Sequence, residues 1–301
     1  MFKKYLLATR PWSFPVSAMS VLVTASFLFW RGWGVDWAMV IWAVLGIILF
    51  HAAGNLLSDW YDYKKGIDAA DTFGSKTLTD GVLSSQQVLV FGIILLVIAT
   101  LNGLAISYVA GPWLLLIGGL GALFTIAYPF MKSHAMGDLC IFLEYGIIPA
   151  IGTAYTVNVF RSTLDWGLYI DALWAVPAFA SITIAVLHTN NTRDCLTDKR
   201  AGIRTFAMLL GKEHAIALYC FELILPLIWT TILTFVGIMP YPAVLLLALY
   251  PAVISRCKQA VLFEKDDQAM NNLDERTAQL QLINGLLLTL ILIVSRFIFT
   301  A

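Results

Sequence analysis

Charge is what this sequence has least of. Only 13% of its 301 residues are Asp, Glu, Lys or Arg, against 59% hydrophobic, and mean hydropathy is +0.80. Soluble domains carry about a quarter charged residues, so a water-soluble fold of this composition would lack the polar surface to cover itself. Net charge is zero, and no overall field draws the chain to nucleic acid. The cysteines Cys140, Cys195, Cys220 and Cys257 lie far apart, with no C-x-x-C pair. That excludes a disulfide framework and a zinc-type spacing. Pro/Ser-rich linkers and low-complexity tracts are also missing, so 1–301 reads as a single domain.

What fills the chain instead is a series of apolar runs, each near the ~20 residues that span a bilayer. They predict helices at 12–31, 37–57, 87–108, 112–130, 137–159, 167–189, 214–237, 240–256 and 277–299. The expected fold class is an all-α integral membrane protein of about nine transmembrane helices. The 240–256 run is short and carries Pro240, Pro242 and Pro251. Basic residues ahead of the run from Trp12 to Trp30 also fit a signal peptide. That run is longer than a typical signal core and more spans follow, which favours an uncleaved first helix.

The few charges fall unevenly. With the N-terminus inside, 16 of the 19 Lys and Arg lie on the inner side, and only Arg31, Arg161 and Arg296 on the outer. Lys and Arg concentrate on the cytoplasmic side of membrane proteins. This bias predicts a multi-pass protein of the cell inner (cytoplasmic) membrane, with a cytoplasmic N-terminus and its active face toward the cytoplasm.

Two inner loops share a composition. One carries Asn55, Asp59 and Asp62, spaced i, i+4, i+7; the other carries Asn191, Asp194 and Asp198, spaced i, i+3, i+7. Each set lines one face of a helix continuing past its apolar run. Paired carboxylates so placed repel, and charge near hydrocarbon is costly. Mg²⁺, sharing its shell with phosphate oxygens, would relieve both costs. Lys64, Lys132, Arg193, Lys199 and Arg204 are near enough in sequence to contact phosphate directly. A single acidic loop would be ordinary for a membrane protein; two matched loops on one side favour a metal–phosphate site. A transporter is the competing class, but transporter sites lie near the midplane, and these clusters lie at the boundary.

The motifs resemble those of the UbiA superfamily of intramembrane prenyltransferases. NLLSDWYD over 55–62, followed by KGID over 65–68, is similar to its first aspartate motif. NNTRD over 190–194, with Asp198 and AGIRT over 201–205, is similar to its second. Both look nearest to the 1,4-dihydroxy-2-naphthoate (MenA-like) branch. RPWSFP over 10–15, Gly137-Asp138 with Phe142 and Gly152-Thr153, and Thr277-Ala278 with Gly285 extend the likeness over most of the chain. Ser58 departs from a frequent Asn but leaves the aspartates intact. The position of Asp68 weakens a likeness to the 4-hydroxybenzoate branch.

The resemblance implies a UbiA-type bundle and Mg²⁺-assisted transfer of a prenyl chain from a prenyl diphosphate to an aromatic acceptor. In the naphthoate branch this comes with loss of CO₂; another acceptor stays open. It implies Asp59, Asp62, Asp194 and Asp198 as metal ligands. Asn55, Asn190 and Asn191 would bond diphosphate or orient those carboxylates, and Lys64, Lys132, Arg193 and Arg204 would pair with phosphate. Tyr128 is either the residue whose ring faces the cation or an interfacial anchor. His51 and His188 read as structural. Glu144 is expected to face the cavity, and Glu222 has no assigned place.

Overall fold

The computed structural model describes residues 2–66, 76–157, 165–266 and 268–299. Eight of its helical spans are long and apolar enough to cross a membrane. A bent pair, Trp166–Ala175 (α8) and Pro177–Arg193 (α9), meeting at 48°, brings the number to nine. Among the described residues there is no strand, only an isolated bridge between His134 and Arg204.

The chain opens with a short helix not foreseen from the sequence, α1 (Phe2–Ala8), and a 3₁₀ turn at Pro11–Ser13 leads into α2 (Pro15–Trp30). α3 (Trp37–Lys65) starts under an Asp36 cap that accepts from Ala38 N at 2.9 Å and Met39 N at 3.2 Å. At 29 residues it is about 44 Å long, against ~30 Å of hydrocarbon. Its last turns therefore project beyond the apolar layer, and they carry the first motif. It stops at Gly66, whose φ of 69° is the left-handed geometry that glycine adopts freely. α4 (Ser85–Ala110) and α5 (Trp113–Ser133) follow at the periphery, and no residue of α5 is fully buried.

The fifth span is not one regular helix. α6 (Gly137–Phe142) and α7 (Ile148–Val157) are joined by a π-helical turn over Leu143–Ile147. The sixth bends at Pro177, which lacks an N–H and crowds the preceding turn. α10 (Cys195–Arg200) and α11 (Phe206–Leu210) form the connection before α12 (Lys212–Phe235). The proline-rich span begins as a 3₁₀ segment, Tyr241–Leu249, before α13 (Tyr250–Leu262), and α14 (Leu273–Phe299) ends the bundle.

α2 and α9 are the central helices. α2 packs on α3, α7, α8 and α14, and α9 on α12 and α14. A Cβ at Gly285 of α14 would run into Met19 of α2, so only glycine allows this approach. Polar side chains tie α14 to α9 as well: Asn284 Nδ2 donates to Ala178 O at 2.9 Å, and Gln281 Nε2 donates to Phe179 O at 2.9 Å. Without a hydrophobic difference between lipid and helix surface, close approach and such hydrogen bonds hold the bundle together.

Candidate active site

The first motif stands on the projecting end of α3, as one helical face. Asp59 is buried, Asp62 half-buried and Lys64 exposed in the last turn. The loop between α1 and α2 is clamped onto this face. Asn55 Nδ2 donates to Thr9 O at 3.0 Å and to Ser13 Oγ at 3.2 Å, and Arg10 Nη2 donates to Asp59 Oδ1. Arg10 holds a left-handed backbone, φ 53° and ψ 60°, uncommon for a residue with a side chain. His51, one turn before the motif, contacts Ser17 Oγ at 3.0 Å and Ser13 Oγ at 3.4 Å, a tie between α3 and α2. Arg10 drew no role from the sequence, where it stood only as the first residue of the RPWSFP stretch. Asp68 lies outside the described residues.

The second motif departs from the continuous helix expected of it. α9 ends at Arg193, and Asp194, at φ −90° and ψ 8°, separates it from α10. Side chains bond backbone carbonyls around the break: Cys195 Sγ donates to Asn191 O at 3.1 Å, Thr192 Oγ1 to His188 O at 2.7 Å and Thr197 Oγ1 to Asp194 O at 2.8 Å. Such local bonds compete with the helical ladder. The break turns Asp198 inward, where it is 5% exposed. Lys132 Nζ, from α5, lies 3.8 Å from Asp198 Oδ1.

Arg193 is committed within the protein. Its Nε and Nη2 donate to the two oxygens of Asp194 at 2.7 and 3.0 Å, and its Nη1 lies 3.6 Å from Asp274 Oδ2 on α14. Arg204 is exposed; its backbone N donates to Ser133 O at 3.2 Å, which sets it beside the helix end bearing Lys132.

Three oxygens of this half have no hydrogen-bond partner among the described residues although buried: Asn190 Oδ1, Asn191 Oδ1 and Asp198 Oδ2. Buried acceptors are nearly always satisfied. Amide and carboxylate oxygens of this kind are the ligands that a hard cation takes. Burial pushes the Asp198 carboxyl above its ordinary range; Lys132 opposes this, Asp194 adds to it, and Arg193 opposes it.

Tyr128 stands between the halves. It is half-buried on α5 and within electrostatic range of Asp62 on α3 and of Asp138 on α6. Behind it, one turn along α5, Thr125 Oγ1 pairs with Glu144. The π-helical turn brings both Glu144 and Tyr145 to the wall of a cavity of about 430 Å³, as expected for Glu144. The cavity runs between α3, α4, α5 and α7 and is lined mostly by apolar and small residues, Gly118 and Gly121 among them. Its volume falls in the range of small-ligand pockets.

Behind Asn191 lies a third polar group. His188 Nδ1 meets Asp138 Oδ2 at 2.7 Å, and the ligand atoms of Asp138, His188 and Glu222 lie within 4.8 Å of one another. Glu222 thereby finds its place.

An all-helical membrane bundle with two polar, carboxylate-bearing helix ends and an apolar cavity between its helices is the class these features define. The chain belongs to the UbiA prenyltransferase family, whose model matches residues 18–273. It is 35% identical over 291 residues to mouse UbiA prenyltransferase domain-containing protein 1, covering 94% of this chain and 81% of the relative. The Drosophila melanogaster homologue is 31% identical over 298 residues, covering 95% and 78%. Among solved structures, an apo UbiA homologue from Aeropyrum pernix K1 superposes with a TM-score of 0.66 at 14% identity, over 93% of this chain and 97% of that one. A UbiA homologue from Archaeoglobus fulgidus bound to GPP and Mg²⁺ gives 0.57 at 14% identity, over 95% and 99%. These likenesses establish the fold and the family.

Proposed function

We propose that this chain transfers a prenyl chain from a prenyl diphosphate to 1,4-dihydroxy-2-naphthoate, with loss of the ring carboxylate as CO₂. The observation that carries the site assignment is the trio of buried, unpartnered oxygens at Asn190, Asn191 and Asp198. With Asp59, Asp62 and Asp194 they would hold Mg²⁺. The A. fulgidus homologue's complex with GPP and Mg²⁺ supports this reading. Arg193 leaves Asp194 fit for it, because each carboxylate oxygen has a second lone pair. The metal supplies charge for the departing diphosphate.

The chain's own residues do the rest. Lys132, with Arg204 beside it, would pair with diphosphate oxygens as the allylic C–O bond breaks. Asn55 and Arg10 would fix the α3 face against the N-terminal loop. The apolar cavity would take the prenyl tail and exclude water from the electron-poor allylic carbon. The ring of Tyr128 would face that carbon. A new C–C bond forms at the ring carbon bearing the carboxylate, whose bonding pair returns to the ring as CO₂ leaves. We further read 1–301 as one domain in the cytoplasmic membrane, its N-terminus and site on the inner side, as the charge bias favours.

The test incubates purified protein with Mg²⁺, labelled prenyl diphosphates, and naphthoate and 4-hydroxybenzoate acceptors. Prenylated naphthoquinol, CO₂ and diphosphate are expected in equal amounts. Turnover undiminished in EDTA would overturn the metal assignment, and preference for 4-hydroxybenzoate would overturn the acceptor. Movement of substrate across the membrane without diphosphate release would overturn the enzyme.

A further inference from the structure

We infer that Asp138 and His188 are positioning residues that hold the side-chain oxygen of Asn191 turned toward the cation site. The inference rests on the proposed reading of the second motif as a Mg²⁺–diphosphate site.

Hydrogen-bond bookkeeping carries the argument. His188 is fully buried on α9 and anchored at both ring nitrogens. Nε2 lies 3.0 Å from Ala215 O on α12, and a carbonyl only accepts, so Nε2 carries a proton and donates. Nδ1 then meets Asp138 Oδ2 at 2.7 Å across one shared proton. This pins the Asp138 carboxyl, the N-terminal group of α6, in one orientation. Its second oxygen, Oδ1, receives Asn191 Nδ2 at 3.4 Å.

The last bond decides which end of the Asn191 amide faces outward. With Nδ2 held by a carboxyl oxygen, a flipped amide would set two acceptors against each other. The amide oxygen is therefore the end left over. That oxygen is buried and has no partner among the described residues. Three helices, α6, α9 and α12, cooperate to aim one acceptor at a place where no donor from the described residues meets it. Asn190, beside it, has no such anchor among the described residues, so Asn191 is the better fixed of the two amides. Outer partners of this kind orient ligands elsewhere, and their loss typically weakens metal affinity 10–100-fold.

The test reads Mn²⁺ binding by electron paramagnetic resonance, on purified full-length protein with inorganic diphosphate. Asn191→Ala removes the aimed oxygen and should weaken Mn²⁺. Asp138→Leu and the smaller Asp138→Ala remove the anchor and should weaken Mn²⁺ about 10-fold or more. Two variants are used so that a folded protein lacking the carboxyl is in hand, with thermal unfolding as the check. Asp138→Asn should recover most of the affinity: its amide oxygen still accepts from Asn191, and its NH₂ donates to a neutral His188 Nδ1. Combining Asn191→Ala with Asp138→Ala should weaken Mn²⁺ no further than Asn191→Ala alone. Unchanged affinity in the folded Asp138→Ala protein, no recovery in Asp138→Asn, or additive losses in the double variant would each overturn the inference. Wild-type protein that binds no Mn²⁺ in the presence of diphosphate would overturn the underlying reading as well.

Discussion

Arg10 reaches from the loop between α1 and α2 to the Oδ1 of Asp59, 49 residues away, and so joins the N-terminus to the first aspartate motif. Asp59 is 4% exposed, and a buried carboxylate needs a compensating partner. An arginine presents its donors in a planar fork that a lysine lacks.

The first prediction follows. Asp59→Asn should lower prenyl transfer on the order of 10²-fold, the scale of losing one preorganised electrostatic group. Arg10→Ala should also lower the rate, and Arg10→Lys should restore it only in part. Steady-state kinetics across Mg²⁺ concentrations tests this; full activity in Arg10→Ala would remove the loop from the site.

The second concerns pH. Burial raises the Asp198 carboxyl above its ordinary 3.8. A raised acid binds its proton more readily folded than unfolded. Its stabilising contribution is thus complete below the unfolded value and is lost as pH rises through the folded value. Mg²⁺ needs the ionised form, so its effect runs the other way. The rise in melting temperature produced by Mg²⁺ should be full near neutral pH. It should fade on acidification at a pH above the ordinary aspartate value, and Asp198→Asn should abolish that fade. Melting curves with and without Mg²⁺ across this range decide it; a pH-independent Mg²⁺ effect would sink the assignment.

Third, the cavity should set donor chain length. Gly118 lines it ten residues before Tyr128 on α5, about 15 Å along the helix, and a Cβ there meets nothing within 4 Å. Gly118→Phe should fill the far end at little cost to stability and shift preference toward shorter prenyl diphosphates. Competition between labelled donors of two lengths, read by product mass, checks it. An unchanged ratio would move the tail elsewhere.

Fourth, sidedness. Lys65→Cys, exposed at the end of α3, should react with an impermeant thiol reagent only from the cytoplasmic face, and Gly34→Cys, exposed before α3, only from the opposite face. Reversed labelling would overturn the orientation but leave the chemistry standing.

Much of this molecule could be read from the order of its residues. Membrane insertion is a matter of local hydropathy summed over about 20 residues, so the spans were legible. The 3.6-residue period of a helix set Asn55, Asp59 and Asp62 on one face before any coordinates were known. The break at Asp194 was not legible, because residue spacing presumes a continuous helix and says nothing of the side-chain bonds to backbone that Thr192, Cys195 and Thr197 make around it.

What only the tertiary structure decided is which distant groups meet. Arg10 and Asp59, Lys132 and Asp198, and His188 and Asp138 are each brought together by helix packing, and no periodicity within one helix encodes a partner on another. The same packing brought Asp274 of α14 to Arg193, which also pairs with its chain neighbour Asp194, and so withdrew it from the set of free cations. It also made Asp138 a neighbour of the second motif. Sequence fixes what each side chain can donate or accept; the arrangement of helices decides which of those capacities are already used, and which, like the oxygens of Asn190, Asn191 and Asp198, are left without a protein partner among the described residues.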